Sequence, residues 1–297
     1  MSVSIDARPR VRSSLTLLLA GFCWGTGGLA GSLLAERAGL HSISVATYRL
    51  LLGGAAVVLY VWAVGGLRGM VWTTAVVRRV LVAGGLLGSF QAAYFLAVGL
   101  TSVGTATMVT IGSVPVFVTA VTAVRARRWP PRITLVSVVL AVAGLVLLSS
   151  EPGRGGWALG AGVAFALAAG AGFAVLTLVM RRPVEGLDHQ RTTAFGLLVG
   201  GCLLLPAGLA FGMALPLRAD VIAVAVYFGV VPTGLGYAAY FRVLRTTHPV
   251  VAALATLLEP LTAALLSVVC FHEGLGAQGW CGAALLAAGL LVGYSRS

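Results

Sequence analysis

Long apolar stretches divided by short charged turns organise this chain. About ten stretches of roughly 18 to 26 residues carry almost no charge, and each is long enough for an α-helix to cross a bilayer core, which takes about 20 apolar residues. The pattern predicts spans over Ser14–Ala35, Ser44–Val64, Val80–Leu100, Val103–Val124, Ile133–Ser150, Trp157–Met180, Thr192–Met213, Val221–Phe241, Thr246–Phe271 and Leu275–Ser295. No charged residue lies between Arg79 and Arg125. A single helix of that length would overrun the bilayer, so Thr101-Ser102 must separate two spans. The stretches are continuously apolar and do not alternate in ten-residue strands, which excludes a β-barrel. The fold class is therefore all-α integral membrane, with ten transmembrane helices.

Composition agrees: 59% hydrophobic and 9% charged residues in 297, with a mean hydropathy of +1.01, leave too little polar surface to cover a soluble fold. All twenty cationic side chains are arginine, and sixteen of them fall at the termini and in alternate turns. Only Arg37, Arg49, Arg154 and Arg218 lie opposite. The positive-inside rule then puts both termini in the cytoplasm, which demands an even number of spans. Because the arginines are spread among short turns, the net charge of +12 is a topology signal, and no nucleic-acid partner is expected. The N-terminal arginines followed by an apolar run resemble a signal peptide. The run continues past Trp24 without a small-residue cleavage site, so it is expected to stay as the first span. Cys23, Cys202, Cys270 and Cys281 show no metal spacing. Buried free thiols are expected, with Cys270–Cys281 the one pair considered for a bridge.

The chain repeats itself. Ala92-Ala93-Tyr94-Phe95 returns as Ala238-Ala239-Tyr240-Phe241, Pro115 as Pro260, and Gly144-Leu145 as Gly289-Leu290, at nearly constant offset. Residues 1–152 and 153–297 are thus two five-span copies. Five is odd, so the second copy enters the membrane from the opposite side, giving inverted-topology repeats of the kind that let a carrier open first to one side and then to the other. Arg128 aligns with Glu273, a change of sign that suits a repeated position moved across the membrane. Small residues four apart, as in Gly21xxxGly25, Gly84xxxGly88 and Gly289xxxGly293, predict close helix crossings.

Cys23-Trp24-Gly25, Tyr48-Arg49-Leu50, the Ala-Ala-Tyr-Phe repeat leading into Pro115, and Leu258-Glu259-Pro260 followed by His272-Glu273-Gly274 resemble the EamA family of the drug/metabolite transporter superfamily. Within it, the likeness is to amino-acid exporters of the YddG type. Arg128 departs from that pattern where many such repeats carry an acid. The resemblance implies a multi-pass exporter of amino acids or similar metabolites in a bacterial inner membrane, whereas spans and charges alone imply only a polytopic transporter.

Candidate site residues are those that are expensive at mid-membrane depth. Glu259, in the middle of span nine, carries a charge that costs about 2.5 to 3.5 kcal/mol there on insertion scales. It reads as a ligand for a substrate ammonium or as a proton-coupling group, or else as a buried acid bonded to backbone freed by Pro260. Pro115 and Pro260 are expected to kink symmetry-related helices. Trp24 lies mid-span, whereas the other five tryptophans have belt or near-interface positions; it is a candidate cavity wall that either stacks on a ligand or packs beside glycines. Gln91 has an amide that lipid cannot satisfy. Thr26, Tyr94, Thr233 and Tyr237 are weaker additions, with helix-to-helix hydrogen bonding the alternative. Arg49, near the outer end of span two, is expected to snorkel or to pair with Glu36.

Enzyme chemistry has little to work with. The four histidines lack a second titratable group at metal or triad spacing, and no phosphate-cradling Gly-Lys-Ser/Thr element occurs, so no cofactor or metal is expected. The expected partners are a small-molecule substrate and the lipid bilayer, the duplicated chain working as a monomer. A drug or cationic-metabolite exporter is the alternative within transport, with a channel or a membrane enzyme the other classes.

Overall fold

The computed structural model describes residues 7–148, 156–271 and 276–294, with the side chains of 7–12, 267, 270 and 271 excepted. The helices are α1 (Ala7–Ala38), α2 (Ser42–Ala63), α3 (Thr74–Leu100), α4 (Val103–Ala126), α5 (Arg132–Leu148), α6 (Trp157–Met180) and α7 (His189–Ala210). They continue with α8 (Ala219–Phe228), a π-helical segment (Gly229–Leu235), α9 (Gly236–Val243), α10 (Pro249–Ala255), α11 (Leu258–Phe271) and α12 (Gly276–Tyr294). α8, the π segment and α9 form one continuous span, and α10 and α11 another, so among the described residues nine spans meet the length for crossing a membrane and the shorter α5 makes the tenth. No strand occurs among the described residues, only an isolated Val184–Leu187 bridge.

Local chemistry explains the boundaries. The two-residue break between α3 and α4 is a cap: Ser102 Oγ accepts the Thr105 N–H at 3.1 Å, and the Thr101 hydroxyl donates to the Ala97 carbonyl at 2.7 Å. Both satisfy backbone groups that a helix end leaves unpaired. Asp188 caps α7 in the same way, accepting the Arg191 N–H at 2.7 Å.

The halves are packed into each other more than each onto itself. α5 lies along α12 and α2 along α7, pairs that map onto themselves when the halves exchange. Other contacts come as exchanged couples: α3 with α6 matches α1 with α8 and α9, α3 with α7 matches α2 with the π segment, and α4 with α6 matches α1 with α11. This is the two-fold relation of an inverted repeat. Lipid offers no hydrophobic drive between helices, so close backbone approach must supply dispersion instead. At the α5–α12 crossing a Cβ on Gly144 would press on the Gly282 carbonyl and the Leu286 backbone, and one on Gly289 on the Ala141 backbone. Large apolar side chains such as Val139, Leu203 and Leu291 face outward, as a bilayer-embedded bundle requires.

Candidate functional site

Two proline-directed irregularities shape the centre of the bundle. Pro260 has no N–H to offer the Thr256 carbonyl, which instead accepts from the Glu259 N–H at 3.1 Å, and the span breaks at Thr256-Leu257 between α10 and α11. Pro232 sits inside the π segment, where the Thr233 hydroxyl donates to the Phe228 carbonyl at 2.8 Å. That carbonyl would have faced the missing N–H of Pro232. The span crosses α2 there in close contact, since a Cβ on Gly53 would strike Thr233 and one on Gly229 would strike Leu52. π segments of this kind recur at functional sites.

Between the halves lies a cavity of about 670 Å³, bordered by α1, α2, α3, α4 and α11 with contributions from α5, α6, α8 and α9. Its deep wall is aromatic. Trp24, only 3% exposed, packs edge-on to Phe173 and Tyr237 at 6.0 and 5.4 Å and tilted on Tyr240 at 5.0 Å. Polar side chains are the minority of its lining: Trp24, Ser32, Ser42, Arg49, Gln91, Tyr94, Thr107, Tyr237, Thr256 and Glu259. Several have no protein partner, namely Trp24 Nε1, Arg49 Nε and both amide atoms of the fully buried Gln91. Leaving each such group unpaired costs about 1 to 3 kcal/mol, so their convergence on one cavity marks a place built to meet a polar solute or water. Tyr94 is already paired, its hydroxyl 2.7 Å from that of Thr107.

The cavity includes Ser32, Ala35, Ser42, Val98, Val103 and Leu148, residues near the helix ends farthest from the two chain termini. The opposite, terminal end is shut by arginines bonded to carbonyls at helix C-termini. Arg181 donates to the carbonyls of Leu244 and Thr247, and Arg79 to those of Val179 at 2.5 Å and Arg182 at 3.0 Å. Above them the Tyr240 and Thr177 hydroxyls pair at 3.0 Å, both residues fully buried. At the far end the exposed Arg37–Asp220 ion pair, at 3.5 Å, joins the end of α1 to the start of α8, a kind of contact that contributes little, while the Tyr48 hydroxyl donates to the Met213 carbonyl at 2.6 Å and His41 stacks on Phe211 at 4.1 Å.

Of the candidates read from sequence, Trp24, Gln91, Tyr94, Tyr237, Glu259 and Pro260 come together on this cavity. Thr26 does not: its hydroxyl is turned back to the Cys23 carbonyl at 2.8 Å. Thr233 is fully buried against Gly53, outside the lining. α4 is one continuous helix through Pro115, whereas the span that holds Pro260 is divided into α10 and α11. Arg49 corrects a further expectation, for it neither snorkels nor pairs with Glu36; its guanidinium lies 5.5 Å from the Phe228 ring centre and lines the cavity. Its position as a charge inside an apolar span was the signal for it. Phe90, Phe173 and Phe228 and the π segment were also missed; phenylalanine in a membrane helix carries no signal, but Pro232 mid-span did. Cys23, Cys202 and Cys281 are free thiols, Cys23 buried and the other two exposed. The Cys270 side chain, the His272-Glu273-Gly274 motif and the Arg128–Glu273 comparison lie outside the described residues.

The model of the EamA-like transporter family matches residues 12–150 and again residues 160–294. The chain belongs to the EamA-like transporter family. Each match covers one of the five-helix copies, so the family unit is the repeat itself. The transporter is 31% identical over 279 residues to the uncharacterized transporter YwfM of Bacillus subtilis (strain 168), covering 94% of this chain and 92% of that one. It is 26% identical over 203 residues to an uncharacterized transporter of Archaeoglobus fulgidus, covering 68% and 71% of the two chains. A solved crystal structure shares the fold with a TM-score of 0.80 at 19% identity, covering 95% of this transporter and 96% of that chain. The protein is thus a multi-pass membrane transporter, and its relatives carry transporter names, not enzyme names.

Proposed function

We propose that this transporter is a secondary carrier exporting amino acids and related small metabolites across a bacterial inner membrane by alternating access. The observation that carries the reading is the cavity between two inverted halves, confined toward one end of the bundle and walled by Trp24, Gln91 and Glu259. Its size suits one small solute, since ligand sites span about 300 to 1,000 Å³. A zwitterion would set its ammonium at Glu259 and its apolar part on the aromatic wall. Residues 1–152 and 153–297 act as the two moving halves within one monomer. With both termini cytoplasmic, as the arginine distribution predicts, the far end faces outward and the arginine-bonded end inward. Export as the direction of flux comes from the family resemblance. Rocking of the halves opens the arginine-bonded end as the far end closes.

A broad exporter of drugs or cationic metabolites is the second reading, favoured by the grouping of Trp24, Phe90, Phe173 and Tyr237 near a carboxylate, a surface that holds cations by their charge and by ring faces. The test is counterflow of radiolabelled amino acids, and separately of lipophilic cations, into proteoliposomes, with wild type, Trp24→Ala and Glu259→Gln compared. Saturable amino-acid exchange impaired by both substitutions supports the first reading. Exchange of cations alone moves the assignment to the second.

A further inference from the structure

Among the described residues, Arg49 is the one fixed positive charge in the cavity lining. It lies seven residues beyond the start of α2, about 10 Å along the helix at 1.5 Å per residue, where a cation is disfavoured unless protein or ligand compensates it. Among the described residues the ion pairs are Arg37–Asp220, Arg218–Asp220 and Arg191–Asp188; Arg49 has no carboxylate within bridging distance. Its guanidinium lies over the Phe228 ring at 5.5 Å, and its Nε, buried, has no protein partner. Phe228 itself ends α8 and is held by the Thr233 hydroxyl on its carbonyl, so the π segment sets the platform on which the arginine rests. Gln91 adds a buried, unpartnered amide to the same lining.

We propose that Arg49 is the specificity-determining residue of this site and receives a carboxylate, so that the solutes preferred are those with a free carboxylate group. The inference rests on the cavity being the transport site. A guanidinium presents a planar fork of donors that a carboxylate matches with two parallel bonds, which a lysine ammonium cannot reproduce. Arg49 and Glu259 give the lining one charge of each sign, and a zwitterion neutralises both. An ester or amide of the same solute leaves Arg49 unpaired, and a simple amine also meets its repulsion.

The test uses purified full-length protein in detergent, measuring the ligand concentration that half-maximally raises the unfolding temperature for leucine, leucinamide and isoamylamine, alongside counterflow of labelled leucine in proteoliposomes. Wild type is expected to prefer leucine over leucinamide by about tenfold or more, the scale of a charge-assisted hydrogen bond. Arg49→Gln should erase that preference by weakening the leucine response, with a leucinamide response kept or strengthened as the guanidinium's repulsion is removed, which also shows that the variant is folded; Arg49→Lys should restore part of the preference. An Arg49→Gln protein that keeps the wild-type preference overturns the assignment while leucine counterflow leaves the transport reading intact. Stabilisation of wild type by isoamylamine but not leucine overturns it in favour of a cation carrier. No stabilisation by any of the three, with no counterflow, overturns both.

Discussion

Removing the Arg181 side chain should loosen the closed end of the transporter. Arg181, at the C-terminus of α6, bonds the carbonyls of Leu244 and Thr247 just beyond α9, and those bonds exist only while the two helix ends meet. A hydrogen bond from a charged donor contributes about 1.5 to 3 kcal/mol. Arg181 is partly exposed, so solvent recovers part of what two bonds lose, leaving a net cost of about 2 kcal/mol for Arg181→Ala. At 1.4 kcal/mol per tenfold change, the fraction of molecules open at this end should rise about 30-fold. The readout is thiol labelling at Val243→Cys, a side chain buried at 5% exposure in α9, in a background with Cys23, Cys202, Cys270 and Cys281 replaced by alanine. If reclosing is faster than modification, the rate of labelling by a soluble maleimide reports the open fraction. Arg68→Ala, removing an exposed arginine from the turn after α2, controls for charge. A labelling rate in Arg181→Ala within twofold of its parent, with the fold intact, would refute the idea that these bonds hold the end shut.

The same assay tests His248, the residue preceding α10. Partial burial and then the charge of Arg181 hold its pKa below the ordinary imidazole value. A lowered pKa means the closed end favours neutral His248; that contribution is complete above about pH 6.5 and is lost as pH falls through the lowered value. Acidification should therefore speed Val243→Cys labelling, and His248→Gln should flatten the profile; an unchanged profile in the variant rejects the link. Gly144→Ala should destabilise by about 1 to 3 kcal/mol or more, because its Cβ meets the backbone of α12. Gly172→Ala, with open space around its Cβ, should be neutral or slightly stabilising. Equal unfolding temperatures for the two variants in detergent would contradict that packing. Pro260→Ala returns an N–H able to bond the Thr256 carbonyl, so the α10–α11 break should close and leucine counterflow should slow; undiminished exchange would mean that the break is not needed.

The sequence by itself determined how many helices cross the membrane, where the turns lie, that the halves are inverted copies, and that Glu259, Pro260, Trp24 and Gln91 are out of the ordinary. Each of these follows from a local cost in lipid, where a charge, an amide or a missing N–H must be compensated wherever it occurs. The facing of each helix was decided only by the tertiary structure. In a bilayer both the packed face and the lipid face are apolar, so no polar stripe distinguishes them, and the orientation is set by which small residues let backbones approach. That is why Thr26 and Thr233, polar and mid-span, turned out to serve local backbone bonds, while Arg49 turned inward over Phe228. It is also why the break came at Pro260 and not at Pro115: both prolines withdraw an N–H, but only the packing around each decides whether the helix parts there. Which end of the bundle is shut was likewise beyond the sequence, because the arginines that close it act on carbonyls about 60 to 100 residues away along the chain, brought within reach only by the folded arrangement of the two halves.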